Sequence, residues 1–294
     1  MFPLKKLYLA IILFPPLLFA ENDSVSINTK NTNILSKKID HERSQDFNPF
    51  SLLAYEQNYL LPFNYTSSPL STYNSSNPNN QKIRHVDFKF QLSFKSPVTH
   101  DLFNQENTLY VAYTQQSYWQ SYSKSAFFRA NNYQPEIFVE NNLNIPLARG
   151  WMLQLLNIGL AHQSNGHGGV QERTWNRCYT EASFAKERWL ISVRGWVVVN
   201  ENSMKRYNPD IRKFLGHGRM LIAHNFDSKV VSLMTYNNIE SRFKRGSVQL
   251  SYSFPIGKKI RGYLQLFNGF GQNLIEYNHR TSACGIGISL SDWL

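Results

Sequence analysis

The feature that most constrains the fold of this 294-residue chain is an alternation of apolar and polar side chains that recurs along most of its length. In DFKFQLSF, at 87–94, every second residue from Phe88 to Phe94 is apolar, and the residues between them are polar. The alternation returns in SVQLSYSF at 247–254 and in KIRGYLQL at 259–266. Because successive side chains of a β-strand point to opposite faces, this period of two predicts strands with one apolar and one polar face.

Twelve segments show this pattern and are predicted to be strands: 57–66, 86–95, 108–120, 134–143, 151–164, 175–185, 188–199, 214–226, 229–238, 246–254, 259–270 and 282–291. Their even number and a last strand near the C-terminus predict an all-β chain folded as a twelve-stranded antiparallel transmembrane β-barrel. A soluble β-sandwich is the alternative. The 20 Phe, 16 Tyr and 6 Trp favour the barrel, because barrels carry aromatic girdles at the membrane interfaces.

The N-terminus carries an export signal. Two lysines precede an apolar run that ends at Ala20, and this order of features predicts a secretory signal peptide at 1–20. A retained spanning helix is the weaker alternative, because Pro15 and Pro16 interrupt the run. Beyond the signal no apolar stretch is long enough for a transmembrane helix.

Two further parts follow the predicted signal peptide. Residues 21–50 form a polar N-terminal segment, and residues 51–294 form the barrel. From Glu21 to about Gln45 the chain is rich in Asn, Ser, Lys and Asp and lacks apolar periodicity. We therefore expect this stretch to be extended or disordered.

The net charge indicates which partners the protein binds, and the cysteine content indicates which metal or disulfide sites it can form. The net charge of +11 would suit nucleic acid, but an exported protein rarely meets it. Membrane phospholipids with acidic headgroups are the expected partners, and solvated loops are the alternative explanation of the charge. Cys178 and Cys284 form no CxxC pair, so neither a metal knuckle nor a disulfide framework is indicated.

Loop lengths indicate how the barrel is oriented, because such barrels have short turns at one end and long loops at the other. The predicted connections alternate in this way, being short at 186–187, 227–228 and 255–258 and long at 165–174, 200–213 and 271–281. The turn at 96–107 is longer than this scheme prefers. The scheme places NGHGGVQERT, at 165–174, at the outer-leaflet end.

Polar side chains interrupt the apolar face beside this loop. The even positions of strand 151–164 are predicted to form its lipid-facing column: Met152, Gln154, Leu156, Ile158, Leu160, His162 and Ser164. On the next strand Asn176 shares the outward parity of Cys178, which is a small hydrophobe. Polar groups on a lipid face are costly, so three of them on adjacent strands indicate function.

These three residues have the chemistry of a serine nucleophile. His162 can accept the proton of Ser164, because residues two apart on one strand share a face. Asn176 can accept the N–H of the second ring nitrogen through its side-chain oxygen, in place of the usual aspartate. The amide of Gly166 can donate to an oxyanion, and the glycine-rich turn can offer carbonyl ligands to a hard cation.

Simpler interpretations stay open. A serine and a histidine two residues apart occur by chance in most chains, and Gly166 with its neighbouring glycines suits an ordinary turn. A zinc site at His162 and His167 lacks a third ligand with suitable local spacing.

The segments HQSNG and RTWNRCY resemble the active-site segment of the bacterial outer membrane phospholipase A family, which is also called the phospholipase A1 family. The resemblance extends to AYTQQSYWQ at 112–120, FRANNYQP at 128–135, NPDI at 208–211 and the closing strand. It therefore covers nearly all of the chain beyond the signal.

The resemblance implies a twelve-stranded barrel of the outer membrane of a Gram-negative bacterium that hydrolyses acyl esters of phospholipids, with phospholipase A1, phospholipase A2 and lysophospholipase activity. It implies calcium dependence, activity as a homodimer and an active site that faces the outer leaflet. The family's roles fall on Ser164 as nucleophile, His162 as base, Asn176 as its orienting residue and Gly166 as oxyanion donor.

The resemblance also assigns dimer and metal residues. Gln115 matches a polar residue of the dimer interface, and Ser125 matches a serine that reaches the partner's calcium. The calcium loop departs from the family, which commonly has Arg, Asp and Ser where this chain has His167, Gly169 and Glu172. The backbone carbonyl of His167 and the carboxylate of Glu172 are the expected local ligands.

A non-catalytic porin or surface-binding barrel is the alternative from a different functional class, and its mark would be an open, conducting lumen. Five predicted inward residues can instead fill the interior with hydrogen bonds and ion pairs: Lys89, Gln91, Arg177, Glu181 and Arg261.

Overall fold

The computed structural model describes residues 33–45, 51–70, 77–102, 107–257, 260–291 and 293. The predicted signal peptide, at 1–20, and residues 21–32 lie outside these ranges. Within them, no helix has both the length and the hydropathy needed to cross a membrane.

The fold is a closed antiparallel β-barrel, as the alternation predicts. The strands are β1 (Leu53–Ala54), β2 (Asn58–Thr66), β3 (Val86–His100), β4 (Asn107–Trp119), β5 (Phe128–Pro146), β6 (Met152–Ser164), β7 (Thr174–Lys186), β8 (Trp189–Val199), β9 (Gly218–Phe226), β10 (Lys229–Tyr236), β11 (Ser247–Pro255), β12 (Arg261–Gly269) and β13 (Thr281–Ser291). Each long strand pairs with its neighbours in sequence, and β13 closes the ring on β2. β1 is a two-residue strand paired with β3. Twelve strands therefore form the barrel, and the predicted fold is confirmed.

Within the described ranges, three α-helices accompany the strands: α1 (Ile34–Gln45), α2 (Glu201–Tyr207) and α3 (Ile211–Leu215). α2 and α3 occupy the long connection between β8 and β9. β9 consequently begins at Gly218 and not at 214, where the sequence places it. The connection between β3 and β4 is only 101–106, because β3 continues to His100, five residues beyond its predicted end, and β4 begins one residue earlier than predicted. Its length no longer departs from the alternation of short and long connections.

The barrel carries its apolar side chains outside. About half of the surface of Ile158, Leu160, Val197 and Leu266 is exposed, although they lie in the middle of long strands. This arrangement reverses that of a water-soluble protein and matches a wall surrounded by hydrocarbon.

The interior is held by buried ion pairs. Nη2 of Arg194 lies 2.5 Å from Oε2 of Glu181, and its Nη1 lies 3.1 Å from Oε2 of Glu136. Arg219 extends the network to Oε1 of Glu181 at 2.9 Å and to Oε1 of Glu56 at 2.8 Å. All five side chains are buried. Each charge therefore has an opposite charge beside it, which offsets the cost of removing it from water.

The residues predicted to face inward make further interior hydrogen bonds. Lys89 donates to Gln265, Gln91 to the carbonyl of Gln57, Arg177 to Gln134, Arg261 to Ser253, and Glu181 accepts from Ser192. A cavity of about 150 Å³ remains between the side chains, and its lining includes Gln57, Gln116 and Arg177. The described interior is thus largely filled.

α1 packs against the end of the barrel where the turns are short. Leu35 and Ile39 lie one helical turn apart and join a buried cluster with Leu155, Ala185, Leu190, Leu221, Ala223, Val230 and Trp293. Glu42 pairs with Lys95 at 2.9 Å. The expectation that 21–45 is extended or disordered is therefore wrong for Ile34–Gln45. The segment is polar overall, and only two of its apolar residues, Leu35 and Ile39, join the buried cluster with the barrel. Two residues are too few to show as an apolar period in the sequence.

Gln154 corrects a second expectation. It is fully buried and donates to Ser36 of α1 at 2.6 Å, so it faces inward and not toward lipid. The pairing of β6 with β7 shifts between Leu153 and Leu155, which is the mark of a β-bulge. A bulge adds one residue to the alternation, so the positions before it change face.

We expect the interior network to dominate the stability of the barrel. Arg194→Ala should lower the free energy of unfolding by about 3 kcal/mol, because it leaves buried carboxylates short of a positive partner. Denaturant unfolding in detergent micelles, followed by tryptophan fluorescence, measures this change. Arg188→Ala is the matched control, since Arg188 pairs with Asp227 in an exposed turn and should contribute less than about 1 kcal/mol. Equal effects of the two variants would contradict this view of the interior.

Candidate active site

Strand register brings His162 and Asn176 together. The two residues are directly opposite each other on β6 and β7, and Nδ1 of His162 lies 2.7 Å from Oδ1 of Asn176. An amide oxygen only accepts, so this geometry places the imidazole proton on Nδ1 and leaves Nε2 as the acceptor nitrogen. The histidine is therefore oriented as a base would need to be.

Ser164 lies two residues beyond His162 on the same strand, at the point where β6 meets the loop. It is half-buried, whereas His162 is exposed on the outer face beside Leu160. Ser164 Oγ makes no hydrogen bond within the described part of the chain. The described hydrogen bonds therefore join His162 to Asn176 but do not join Ser164 to His162.

The loop between β6 and β7 is shaped by Asn165. Its Nδ2 donates to the carbonyl of Gln171 at 2.7 Å, and its Oδ1 accepts from the backbone amides of His167 at 3.3 Å and Arg173 at 3.0 Å. The side chain is buried. Asn165 therefore fixes the path of the loop that follows Ser164. Sequence reasoning missed this role, although Asn165 belongs to the SNG segment.

Gly166 sits where no other residue fits well. Its φ of +70° is in the left-handed region, and a Cβ there would lie 2.7 Å from Cε2 of Tyr133. The ring of Tyr133, on β5, thus packs against the loop backbone two residues after Ser164. This contact limits how far the backbone can move at Gly166, which is close to Ser164 in the chain.

Side chains on the inward face of β6 and β7 contact one another on the opposite side of these strands from His162 and Asn176. Trp175 Nε1 donates to Oε1 of Gln163 at 2.7 Å, and the guanidinium of Arg177 lies 4.4 Å from the Trp175 ring centroid. Thr174 donates its backbone N–H to Asn208 at 2.9 Å. The start of β7, which carries Asn176, is therefore fixed by buried groups.

The connection between β12 and β13 contacts the β6–β7 loop. Arg173 donates to the carbonyls of Val170 and Glu172, and its guanidinium lies 6.0 Å from the ring centroid of Tyr277. Tyr277 donates its hydroxyl proton to Asp210. Burial and this carboxylate raise the pKa of Tyr277, so its phenol keeps the proton that it shares with Asp210 at neutral pH.

The three predicted calcium ligands lie in two loops. His167 and Glu172 belong to the β6–β7 loop, and the Glu172 carboxylate has no ion-pair partner among the described residues. Ser125 lies in the β4–β5 loop, where its backbone N–H donates to Gln81 and its carbonyl accepts from the same side chain. No hydrogen bond in the described ranges joins Ser125 to His167 or Glu172. No group of three or more His, Cys, Asp or Glu within those ranges could hold a metal.

Gln115 lies on the same side of the barrel as Ser164. Register pairs Gln115 with Tyr133 across β4 and β5, and Tyr133 with Ser164 across β5 and β6. The amide of Gln115 accepts from the Tyr113 hydroxyl at 3.0 Å and donates to Ser117 at 3.0 Å. A polar amide is thus placed on the wall two strands from the serine.

Comparison with protein families places these features in context. The sequence model of the family described as Phospholipase A1 matches residues 35–290. A phospholipase A1 of Klebsiella pneumoniae is 35% identical over 247 residues, which are 83% of this chain and 84% of that protein. The phospholipase A1 of Escherichia coli K12 is 30% identical over 286 residues, covering 97% and 96% of the two chains.

Solved structures agree with the sequence comparison. The outer membrane phospholipase dimer of Salmonella typhi with bound calcium is similar with a TM-score of 0.79 and 31% identity, over 85% of this chain and 96% of that one. Outer membrane phospholipase A of Escherichia coli gives a TM-score of 0.77 and 32% identity, over 83% and 100% of the chains. The resemblance inferred from HQSNG and RTWNRCY is therefore confirmed.

The site geometry predicts a reactive serine. A fluorophosphonate probe should phosphonylate the protein in detergent micelles that contain Ca²⁺, and Ser164→Ala should abolish labelling. Asn176→Ala should slow labelling about fivefold, since a neutral orienting hydrogen bond is worth about 1 kcal/mol. The rate is read from in-gel fluorescence against time.

Asn268→Ala is the matched control for Asn176→Ala. Asn268 is also an exposed strand asparagine, and it donates to Ser282 across β12 and β13. The control should label at the unmodified rate. Equal labelling of the Asn176 and Asn268 variants would show that the 2.7 Å contact does not orient the base.

Proposed function

Because the chain belongs to the phospholipase A1 family, and is accordingly an outer membrane barrel of a Gram-negative bacterium, we propose that it hydrolyses phospholipid acyl esters with Ser164 as nucleophile. The observation that carries the proposal is the 2.7 Å contact between His162 and Asn176, beside an uncommitted serine hydroxyl on the lipid-facing wall. The ester would reach this wall sideways through the membrane.

The reaction follows from the roles of the three side chains. His162 Nε2 takes the proton of Ser164 Oγ as the oxygen attacks the ester carbonyl. The imidazolium then donates that proton to the departing glycerol oxygen, leaving an acyl group on Ser164. A water molecule, deprotonated by the same nitrogen, releases the fatty acid. Asn176 holds the ring in place through both steps.

Stabilisation of the oxyanion falls to the loop that follows Ser164. The amide of Gly166 is the proposed donor, and the Tyr133 ring keeps that amide in position. An asparagine stabilises an imidazolium less well than a carboxylate does. Positive charge near the oxyanion would compensate by stabilising the negative charge of the intermediate. That need supports a proposed metal site.

The proposed cofactor is calcium, held by the carbonyl of His167, the carboxylate of Glu172 and Ser125 of a partner subunit. These groups offer oxygen ligands, which calcium prefers, and the unpaired carboxylate of Glu172 fits a cation. When bound, calcium would supply positive charge to the oxyanion. Glu172 would supply a carboxylate where the family commonly has the hydroxyl of a serine.

The proposed active form is a homodimer that meets through the face containing Gln115 and Ser164. The dimeric form of the Salmonella typhi protein supports this proposal. So does the position of Gln115, because a polar amide on a lipid-facing wall gains from a polar partner. We further propose that both ester positions of diacyl lipids, and those of lysophospholipids, are cleaved, since the serine is approached from an open wall.

We expect Ser164→Ala to lower fatty acid release from phospholipid and detergent micelles at least a thousandfold, because no other group replaces the nucleophile. Ser282→Ala, a matched control on the exposed end of β13, should retain full activity. Substrates labelled in either acyl chain report the position of cleavage. Undiminished release by a correctly folded Ser164→Ala protein would refute the nucleophile assignment, and a conducting lumen without hydrolysis would support the porin alternative.

Glu172→Gln should raise the calcium concentration for half-maximal activity about tenfold, because it removes one of the few charged ligands. Excess chelator should abolish release by the unmodified protein. Glu187→Gln, in the exposed β7–β8 turn, removes a carboxylate at the other end of the barrel and should leave the calcium titration unchanged. An unchanged titration for Glu172→Gln would exclude its carboxylate as a ligand.

A further inference from the structure

We propose that the β8–β9 and β10–β11 loops form a binding site for the clustered phosphates of an outer-leaflet glycolipid. This site is separate from the serine and from the face that contains it. The inference rests on the proposed orientation of the barrel in the outer membrane, with the long loops outward, and it does not depend on hydrolysis.

The two loops enclose a cationic cleft of about 410 Å³. Arg212 and Lys213 line it from the β8–β9 loop, and Lys244 and Arg245 line it from the β10–β11 loop. Together the two loops, at 200–217 and 237–246, contain seven Lys and Arg against three Asp and Glu. The cleft is larger than one phosphate needs, so its volume and charge suit a headgroup with more than one.

The cleft cations are not neutralised within the chain. In the described residues, Lys213, Lys244 and Arg245 have no ion-pair partner, whereas Arg212 pairs with Glu201 at 3.1 Å. The carboxylate of Glu240 also lines the cleft, but the ring and backbone N–H of His217 bind it, at 2.6 and 3.0 Å. Three cations without an ion-pair partner therefore outweigh the one carboxylate of Glu240, and the cleft keeps a net positive charge. Guanidinium and ammonium groups bind phosphate oxygens through strong, charge-assisted hydrogen bonds.

The cleft is fixed in shape by hydrogen bonds between and within the loops. Asn237 Nδ2 donates to the carbonyls of Lys213 and Phe214, each at 3.0 Å, and so ties one loop to the other. Ser241 Oγ accepts from the Arg245 amide at 3.0 Å and donates to the Arg245 carbonyl at 2.5 Å. The guanidinium of Arg245 lies 5.1 Å from the Phe214 ring centroid. A site that is already formed loses less conformational entropy when it binds a ligand.

Apolar side chains beside the cleft favour a lipid over a free phosphate. Ile239 and Phe243, both on the β10–β11 loop, are 78% and 82% exposed. Arg242 and Phe243 have φ values of +52° and +60°, which non-glycine residues rarely adopt. The loop thus presents large apolar groups next to unpaired cations, and this combination suits a phosphorylated headgroup with acyl chains attached.

The position of the cleft separates it from the proposed active site. β10 and β11 are four and five strands from β6 in the twelve-stranded ring. β8 and β9, which carry the other loop of the cleft, are two and three strands from β6, so the cleft lies to one side of the wall that contains Ser164 and Gln115. A glycolipid bound there would hold the barrel in its outer-leaflet surroundings and leave the catalytic wall free for phospholipid or a second subunit.

Native mass spectrometry of the full-length protein, released from uncharged detergent micelles, tests the site. The probes are an acylated glucosamine disaccharide with two phosphates and the same lipid without phosphates. We expect one molecule of the diphosphorylated lipid per chain, bound at least tenfold more tightly than the dephosphorylated one. Equal binding of the two lipids overturns the proposal. This comparison uses the unmodified chain, so it decides the question even where a variant fails to fold.

Matched substitutions locate the binding. Lys213→Gln with Arg245→Gln should weaken binding of the diphosphorylated lipid at least tenfold. Lys205→Gln with Arg206→Gln removes the same charge from α2, where Lys205 is already paired with Glu201, and should change it less than twofold. Equal losses would mean that the general positive charge of the loops, and not the cleft, attracts the lipid.

Two further arms distinguish the source of the phosphate. Ile239→Ser with Phe243→Ser should weaken binding of the acylated lipid but not of its deacylated headgroup. Complete competition by millimolar inorganic phosphate would mean that the cleft takes free phosphate, and the lipid assignment would fail. Ser164→Ala should bind the glycolipid like the unmodified protein, so loss of hydrolysis and loss of glycolipid binding are recognised separately.

Discussion

The pairing of β13 with β2 is the constraint on which the rest of the structure depends. A strand wall surrounded by hydrocarbon has no water to satisfy a free edge, so every backbone N–H and C=O in it needs a neighbouring strand. Closure of the ring meets this requirement and at the same time creates an interior. Side chains that point inward must then satisfy one another, and Arg194, Glu181 and Arg219 do so through buried ion pairs. The polar interior and the apolar exterior are both consequences of a closed sheet.

The same geometry explains why the candidate site lies on the outer wall. Strand parity puts His162 and Asn176 outside, where polar groups are costly, and the register then lets each satisfy the other at 2.7 Å. The groups that support them lie on the opposite face of the same strands, where Gln163, Trp175 and Arg177 are held by lumenal contacts. One strand pair therefore presents His162 and Asn176 on its outer face and is held in place by contacts on its inner face. The wall itself acts as the scaffold for the site.

Sequence patterns predict the parts of this structure that depend on local periodicity. The alternation at 87–94 continues as strand β3, and the outward positions of His162 and Asn176 follow from parity near the loop. Gln154 departs from this parity because a bulge adds a residue without changing the sequence pattern. The sequence does not predict α1, because Leu35 and Ile39 are the two buried apolar residues of an otherwise polar segment and are too few to show a helical period. The role of Asn165 depends on hydrogen bonds to the loop backbone, which residue spacing does not reveal.

The distance between His162 and Asn176 does not depend on the loop that joins their strands. His162 and Asn176 are joined by a loop, but their distance is set by the ladder of pairs that runs from Met152 and Ala185 to Ser164 and Thr174. The loop can therefore change in length or in its side chains while His162 and Asn176 stay opposite each other. Replacement of the family's usual residues by His167, Gly169 and Glu172 is an exchange of this kind. In such a barrel, the side chains of the loop can diverge between relatives while the contact between the two strands stays the same.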